Sequence, residues 1–333
     1  MRKLALILTS ILMLAPATAF SVPIMWGTDE DTGHLVKIEN YDSSPVVTDY
    51  GLLSVSDGLT DHPFPDTAPS YSDVFSDLES FSLDENGIAY MVGNSALDLG
   101  GGVTHGSPHL YSLRIYNADG TESVSIDDAS ATGHLNVLQS VGPVSGVTSG
   151  AINGIDFDPI SGQLFGVVEN GGRDDLVMID PLTAVATTIA TSMDGTDDTE
   201  DIQFDPLGNL YLIEDDGGAS ETEDLLHQVV LDRTGIIPEV LSISVLNHTG
   251  DDHRIEALGW DFQNDRLIAF SDESNSIFDL SLSGDGYVDL GGVGFNDIEG
   301  VDFVPTPTGL PIPEPGTALL MGLGLAGMAS RRR

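Results

Sequence analysis

The sequence has no cysteine and few basic residues, and both shortages narrow the kinds of protein that it can encode. Without cysteine there is no disulfide framework, no thiol nucleophile and no metal site with cysteine ligands. Only 11 Lys and Arg residues stand against 53 Asp and Glu residues, and the formal net charge is -42. Because no basic patch could neutralise phosphates, nucleic-acid binding is excluded. A field of this sign attracts cations and basic partners, and it also keeps a protein soluble.

Long apolar runs are scarce as well, and one of them lies near residue 1. Two basic residues precede the apolar run Leu4–Leu14, which is followed by Ala17-Thr18-Ala19. A charged start, a short apolar core and an A-x-A step are the three parts of a secretory signal peptide. The run is too short to span a bilayer core of about 30 Å as a helix. We therefore predict a signal peptide over residues 1–19, followed by a mature body over residues 20–309.

The second apolar run lies in residues 310–333. Pro313, Glu314 and Pro315 are followed by the apolar stretch Thr317–Ala329 and then by Arg331–Arg333. This order resembles the sorting tail of PEP-CTERM proteins. The resemblance implies a protein that is exported and then handled by an exosortase, a membrane protease-transferase often found beside exopolysaccharide production. A glycine-containing stretch of this length forms a helix of roughly 20 Å, which suits transient membrane engagement. An ordinary tail anchor is the alternative.

The two ends together predict where the body resides. The three arginines should stay cytoplasmic by the positive-inside tendency, which leaves the body outside. We therefore expect the protein at the cell envelope, at the cell surface or in the extracellular matrix of a bacterium. Its expected partners are the exosortase and the export machinery, with exopolysaccharide or surface proteins as further candidates.

A short phrase recurs five times in the body and predicts its architecture. Each copy has alternating apolar positions, as a short strand does, and four copies run on into an Asp-, Pro- or Gly-containing turn and a second strand. A third strand and a weaker fourth follow. Four antiparallel strands in each repeat of about 40 to 50 residues predict an all-β fold, a β-propeller. The copies are Leu78–Asp84, Ile152–Pro159, Thr199–Pro206, Ile255–Asp261 and Ile298–Pro305.

The first and last repeats are incomplete in complementary ways. Ile298–Val304 has the first-strand pattern with nothing blade-like after it, whereas Ile24–Gly27 begins three strands that lack a first strand. Pairing these segments would complete one blade and close the ring, so that no sheet edge stays open. Five blades result, or six if Ser54–Asp77 or the long first interval contains another. An array of β-sandwiches is the structural alternative.

The repeat places an acidic or amide residue at the same position of each first strand. In a propeller these positions surround one mouth of the central channel, and converging oxygen ligands favour Ca²⁺. By strand parity, Glu299 points at the channel only if Gly300 breaks the pleat. The alternative is that these side chains cap strand starts or bind neighbouring backbone. The predicted metal ligands are Glu79, Asn153, Glu200, Glu256 and Glu299.

Other candidate sites carry weaker patterns. The acidic runs Asp194–Asp201 and Glu214–Asp224 lack the regular spacing of an EF-hand loop. His248 and His253 flank two aspartates just before a first strand and are the candidate acid–base groups. No catalytic residue is identified, and binding or scaffolding is the predicted function. The alternative is a calcium-dependent, lactonase-like or esterase-like hydrolase at the channel mouth, which would resemble gluconolactonase and paraoxonase propellers in architecture.

Overall fold

The computed structural model describes residues 23–304 except for short internal gaps. The gaps are 30–32, 57–60, 65–77, 101–102, 125–135, 148–149, 171, 194–195, 197, 215–223, 251–252, 272–273, 285 and 296. The predicted signal peptide (1–19) and the predicted sorting tail (310–333) lie outside the described residues. Across the described ranges, no helix is both long enough and apolar enough to cross a membrane.

The described residues form 23 strands connected by turns. The strands before the second repeat copy are Ile24–Asp29 (β1), His34–Glu39 (β2), Val46–Ser56 (β3), Asp61–Phe64 (β4), Leu78–Leu83 (β5), Ile88–Gly93 (β6), Leu97–Gly100 (β7), Val103–His105 (β8), His109–Arg114 (β9) and Asn136–Pro143 (β10). The later strands are Ile152–Phe157 (β11), Leu164–Val168 (β12), Asp175–Ile179 (β13), Ala186–Ala190 (β14), Thr199–Phe204 (β15), Leu210–Glu214 (β16), Leu225–Asp232 (β17), Glu239–His248 (β18), Ile255–Asp261 (β19), Arg266–Ser271 (β20), Ser276–Leu280 (β21), Tyr287–Gly292 (β22) and Ile298–Phe303 (β23).

The strands are grouped in antiparallel sets of four. Strands β11 to β14, β15 to β18 and β19 to β22 form three separate four-stranded sheets. A larger sheet has the order β23-β1-β2-β3-β10-β9-β6-β5, with β4 paired to β3. Within it, two antiparallel sets meet where β3 and β10 run parallel, from Leu53 opposite Asn136 to Val55 opposite Leu138. A hairpin of β7 and β8 lies between β6 and β9 and lengthens the first interval.

The first strands of the sets form a closed ring. Strand β5 contacts β11, β11 contacts β15, β15 contacts β19, β19 contacts β23, and β23 contacts β5. The apolar core fills the spaces between neighbouring sets, because both faces of the inner strands are covered. Phe165 of β12 and Phe204 of β15, for example, are fully buried with ring centroids 5.1 Å apart. The described part of the body is therefore all-β and propeller-like.

The predicted pairing of the first and last strands is confirmed. Strands β1 and β23 are antiparallel partners, with Met25 opposite Phe303 and Gly27 opposite Val301. The approach is close: a Cβ atom on Gly27 would lie 2.6 Å from the carbonyl oxygen of Gly300. The sequence allowed a sixth blade within residues 54–77. The described residues of this segment form the end of β3 and the short strand β4.

Candidate functional site

Each of the five first strands contains a β-bulge at the position that the repeat singled out. In β19 the pairing steps from Ile255 to Ala257, so Glu256 is the extra residue of the bulge. A bulge interrupts the alternation of a strand and re-aims the side chain that it carries. The parity argument against Glu299 therefore does not apply, because the pleat is broken beside Gly300. The other bulge residues are Glu79, Asn153 and Glu200.

Three acidic side chains converge where β19 and β23 begin. One carboxylate oxygen from each of Glu256, Asp297 and Glu299 lies within 4.8 Å of the other two. Glu256 and Glu299 are 8% and 7% exposed. Arg254, a mostly exposed residue, places a guanidinium nitrogen 3.4 Å from Glu256 Oε1. The group, which we call the acidic trio, thus combines three carboxylates with one flanking positive charge.

The acidic trio contains two of the five predicted ligands. Glu79 and Glu200 are partly buried at their bulges, and Asn153 is buried. Within the described ranges, the trio is the one group of three acidic or histidine side chains with ligand atoms so close together, and neither Glu79 nor Glu200 joins it. Sequence reasoning missed Asp297. The signal available for it was an acid two residues before the repeated position of the last copy.

A second set of carboxylates ties neighbouring first strands together below the bulges. Each accepts a hydrogen bond from a backbone N–H of the next first strand in the ring. The three bonds run from Phe204 N to Asp156 Oδ2 (2.6 Å), from Leu258 N to Asp201 Oδ2 (2.7 Å) and from Leu83 N to Asp302 Oδ2 (2.7 Å). At another junction Ser82 Oγ donates to Asp156 Oδ1 over 2.9 Å. Sequence reasoning did not identify these inter-strand links.

The three linking aspartates are deeply buried, and burial dominates their titration. Desolvation raises the pKa of Asp156 to about 7, and it raises the pKa values of Asp201 and Asp302 well above the ordinary range. Repulsion between the carboxylates acts in the same direction. Among the salt bridges of the described residues, none joins a basic side chain to these aspartates. Their charge is therefore offset by backbone and side-chain donors or by protons.

The two histidines singled out from the sequence do not join the acidic trio. His248 is exposed at the end of β18. The ring of His253 packs against Phe278 and Tyr287, with centroids 4.9 and 4.6 Å away. Its backbone N–H donates to Asp224 Oδ2 over 3.1 Å, which is a structural role. The ring nitrogen Nε2 of His253 is buried without a hydrogen-bond partner.

A buried histidine–carboxylate pair escaped sequence reasoning. His227 Nε2 lies 2.6 Å from Glu214 Oε2, and the two residues are 2% and 5% exposed. The pair joins β16 to β17, where Leu212 is opposite His227. No spacing in the sequence marks it, because the partners are brought together by strand register. Most of the predicted acidic run Glu214–Asp224, and part of Asp194–Asp201, lie outside the described residues.

Comparison with known proteins locates a sorting signal outside the described residues. A family model described as the PEP-CTERM protein-sorting motif matches residues 311–333. The chain carries an exosortase sorting signal. Proteins with this motif are exported and anchored at the bacterial cell envelope, and this protein is accordingly assigned to the envelope. The match covers a small part of the chain, and the comparison with curated proteins found no match.

Several solved structures are distantly similar to this chain. A nidogen/laminin complex is 10% identical, and the match covers 86% of this chain and 99% of that one, with a TM-score of 0.45. A putative 6-phosphogluconolactonase from Bacteroides fragilis is 11% identical over 87% and 100% of the two chains, with a TM-score of 0.40. TolB from Acinetobacter baumannii is 12% identical over 86% and 67%, with a TM-score of 0.38. These scores are low, so the propeller-like assignment rests on strand order and ring contacts.

Proposed function

We propose that this protein is a five-bladed propeller that binds or scaffolds other molecules at the bacterial surface, with a calcium ion at the acidic mouth. Its localisation follows from the sorting motif at residues 311–333. Five blades are the interpretation that fits a ring of five first strands, one of them paired with β1. A ring closed in this way presents fixed side chains at its mouth, which suits recognition without any catalytic group.

The observation that carries the proposal is the convergence of Glu256, Asp297 and Glu299. Calcium takes oxygen ligands at about 2.3 to 2.6 Å, so ligands on opposite sides of one ion lie about 5 Å apart. The trio's carboxylate oxygens lie within 4.8 Å of one another, which fits that geometry. Three carboxylates with one flanking Arg254 leave excess negative charge for a divalent ion. The remaining predicted ligands lie at equivalent bulges around the same ring. Glu79 and Glu200 would add negative charge at the channel mouth, and Asn153 would add a neutral amide oxygen.

Calcium binding is tested by thermal unfolding of the full-length protein at or above physiological ionic strength. A ligand at about 100 times its Kd stabilises the folded state by about 2.7 kcal/mol. For a domain of this size, 1 kcal/mol shifts Tm by about 2–4 °C, so calcium should raise Tm by about 5–10 °C. The double variant Glu256→Gln/Glu299→Gln should lose most of that shift, because hard cations need the charge of the carboxylate as well as its oxygen.

A matched control separates the site from general surface charge. Glu85 and Glu239 are exposed glutamates outside the trio. The variant Glu85→Gln/Glu239→Gln removes the same number of charges and should keep the full calcium shift, since exposed acids bind calcium weakly and are screened by salt. A calcium shift that survives loss of Glu256 and Glu299, or that falls equally in both variants, would contradict the proposed site.

The hydrolase alternative shares the same mouth and is distinguished by activity. His253, with its buried ring nitrogen Nε2, is the nearest acid–base candidate in sequence to the trio. A panel of lactones and esters, assayed with calcium and with chelator, gives the answer. Calcium-dependent turnover that disappears in the Glu256→Gln/Glu299→Gln variant would favour the hydrolase. Calcium stabilisation without turnover supports a binding or scaffold protein.

A further inference from the structure

Asp302 occupies a position where one side chain can control ring closure. It lies on β23, the strand that pairs with β1 and contacts both β5 and β19. It is 4% exposed, and its Oδ2 accepts the backbone N–H of Leu83 over 2.7 Å. The carboxyl therefore holds the closing strand to the neighbouring first strand. Its charge state bears directly on the closure of the ring.

Hydrogen-bond donors are shared unequally between Asp302 and its acidic neighbour Asp156. Asp156 accepts four hydrogen bonds, all between 2.6 and 2.9 Å, which is the environment of a stabilised anion. Asp302 Oδ1, by contrast, is buried without a hydrogen-bond partner. Ser82 has a single hydroxyl hydrogen, and its oxygen is 2.9 Å from Asp156 Oδ1 but 3.5 Å from Asp302 Oδ2. That hydrogen therefore serves Asp156.

The charged groups around Asp302 do not compensate an ionised carboxylate. Burial is the largest cause that raises its pKa, and the charge of Asp156 is the next. Asp201 on β15 also repels it. The strands packed against β23 carry four acids, which are Asp29 on β1, Glu79 on β5, and Glu256 and Asp261 on β19. The basic residue on β20, Arg266, forms ion pairs with Asp42 and Asp279 and lies 3.9 Å from Asp261. An anion at Asp302 would thus be buried, partly unsolvated and repelled.

We propose that Asp302 carries a proton in the closed ring and that this proton makes closure by β23 sensitive to pH. The neutral carboxyl still accepts the N–H of Leu83, so the link to β5 is kept without a buried charge. In the unfolded chain the same group titrates as an ordinary aspartate. The folded state therefore binds one more proton than the unfolded state over the interval between the two pKa values. The stabilisation is complete below the ordinary aspartate pKa and is lost as pH rises toward the raised folded value.

The test is urea unfolding of the full-length protein between pH 5 and pH 8. One extra bound proton lowers the folding equilibrium constant about tenfold for each pH unit in that interval. Asp302→Asn keeps an oxygen for Leu83 and cannot ionise. Asp156 and Asp201 also have raised pKa values and keep their own pH dependence, so the slope of the variant should be shallower than the wild-type slope by the equivalent of one proton, and its folding constant should exceed the wild-type value at pH 8. Asp180→Asn removes an exposed turn carboxylate instead and should retain the wild-type slope.

Two further readouts keep the outcome decisive. Hydrogen exchange of the wild-type protein, corrected for intrinsic rates, should show that the amides of β1 and β23 lose protection faster than those of β12 as pH rises. The infrared band of protonated carboxyl groups should be present at pH 7 and weaker in Asp302→Asn, where the raised pKa of Asp201 leaves part of the band. A wild-type stability that rises with pH, or an Asp302→Asn slope equal to the wild-type slope, overturns the proposal. If Asp302→Asn does not fold, exchange at β1 and β23 that is independent of pH overturns it equally.

Discussion

The closing strand contains one position at which a single methyl group should disrupt the ring. Gly300 lies between the bulge residue Glu299 and Val301, and it presses against the backbone of β5. A Cβ atom added to Gly300 would lie 2.4 Å from Phe81 N and 2.6 Å from the carbonyl carbon of Ser80. Both are backbone atoms, so the contact cannot be relieved by rotating a side chain. We therefore expect Gly300→Ala to push β23 away from β5.

The cost follows from the depth of the overlap. Both distances are far below the ordinary contact range of 3.4–4 Å for a Cβ atom. Overpacking a well-packed core costs about 1–3 kcal/mol, and a clash with fixed backbone on a closing strand belongs at the upper end. We therefore expect a loss of about 3 kcal/mol. At about 2–4 °C for each kcal/mol in a domain of this size, Tm should fall by about 6–12 °C.

Thermal unfolding followed by circular dichroism measures this effect, and Gly106→Ala is the matched control. A Cβ atom on Gly106 would meet Pro143 Cβ at 3.8 Å, an ordinary contact. That variant should unfold within about 2 °C of the wild type, since surface substitutions usually change stability by less than about 0.5 kcal/mol. Equal melting temperatures for the two alanine variants would refute the close approach of β23 to β5.

Two further predictions concern other parts of the chain. Arg233 Nε donates to the buried Asp158 Oδ2 over 2.9 Å. Arg233→Met should leave this buried carboxylate without its ion-pair partner, with only the donors Ile160 N and Ser161 Oγ, and should cost about 3 kcal/mol in urea unfolding. The added change Asp158→Asn should recover part of that loss, and an unchanged midpoint in the single variant would contradict the ion pair. Deleting residues 311–333 should convert an envelope-retained protein into a freely released one in a host with an exosortase. Identical fractionation of the full-length and truncated proteins would speak against sorting by the motif.

The parts of the fold that could be predicted from the sequence are those set by local pattern. Each repeat copy alternates apolar residues, and four of the five copies run on into a turn, so strand starts such as Ile152 and Ile255 match the observed bounds of β11 and β19. The pairing of β1 with β23 was also predictable, because an unpaired first strand and an incomplete set of three complement each other. The recurring Glu or Asn was visible in the sequence as a position, and the structure places a β-bulge at that position of each first strand.

The parts that could not be predicted depend on contacts between distant strands. In the sequence, nothing distinguishes Asp156, Asp201 and Asp302 from acids that are exposed to solvent. Only the ring of first strands places each of them beside the backbone of the next first strand. The parallel pairing of β3 with β10 joins two sets of strands, and no turn or repeat in the sequence indicates that these two strands are partners. Asp297 joins Glu256 because β19 and β23 are neighbours in space. Local propensity contains none of this information.

The pairing of β1 with β23 also has a consequence for the order of events during export. Strand β1 is made early, yet its partner Ile298–Phe303 follows nearly the whole body. When the chain crosses a membrane from its N-terminal side, one edge of β1 therefore stays unpaired until β23 has crossed. Pairings between strands so distant in sequence form slowly. The sorting motif at residues 311–333 follows β23 closely. Arrival at the sorting machinery and completion of the ring thus fall at nearly the same moment, and a molecule halted before that moment would present an unpaired strand to its neighbours.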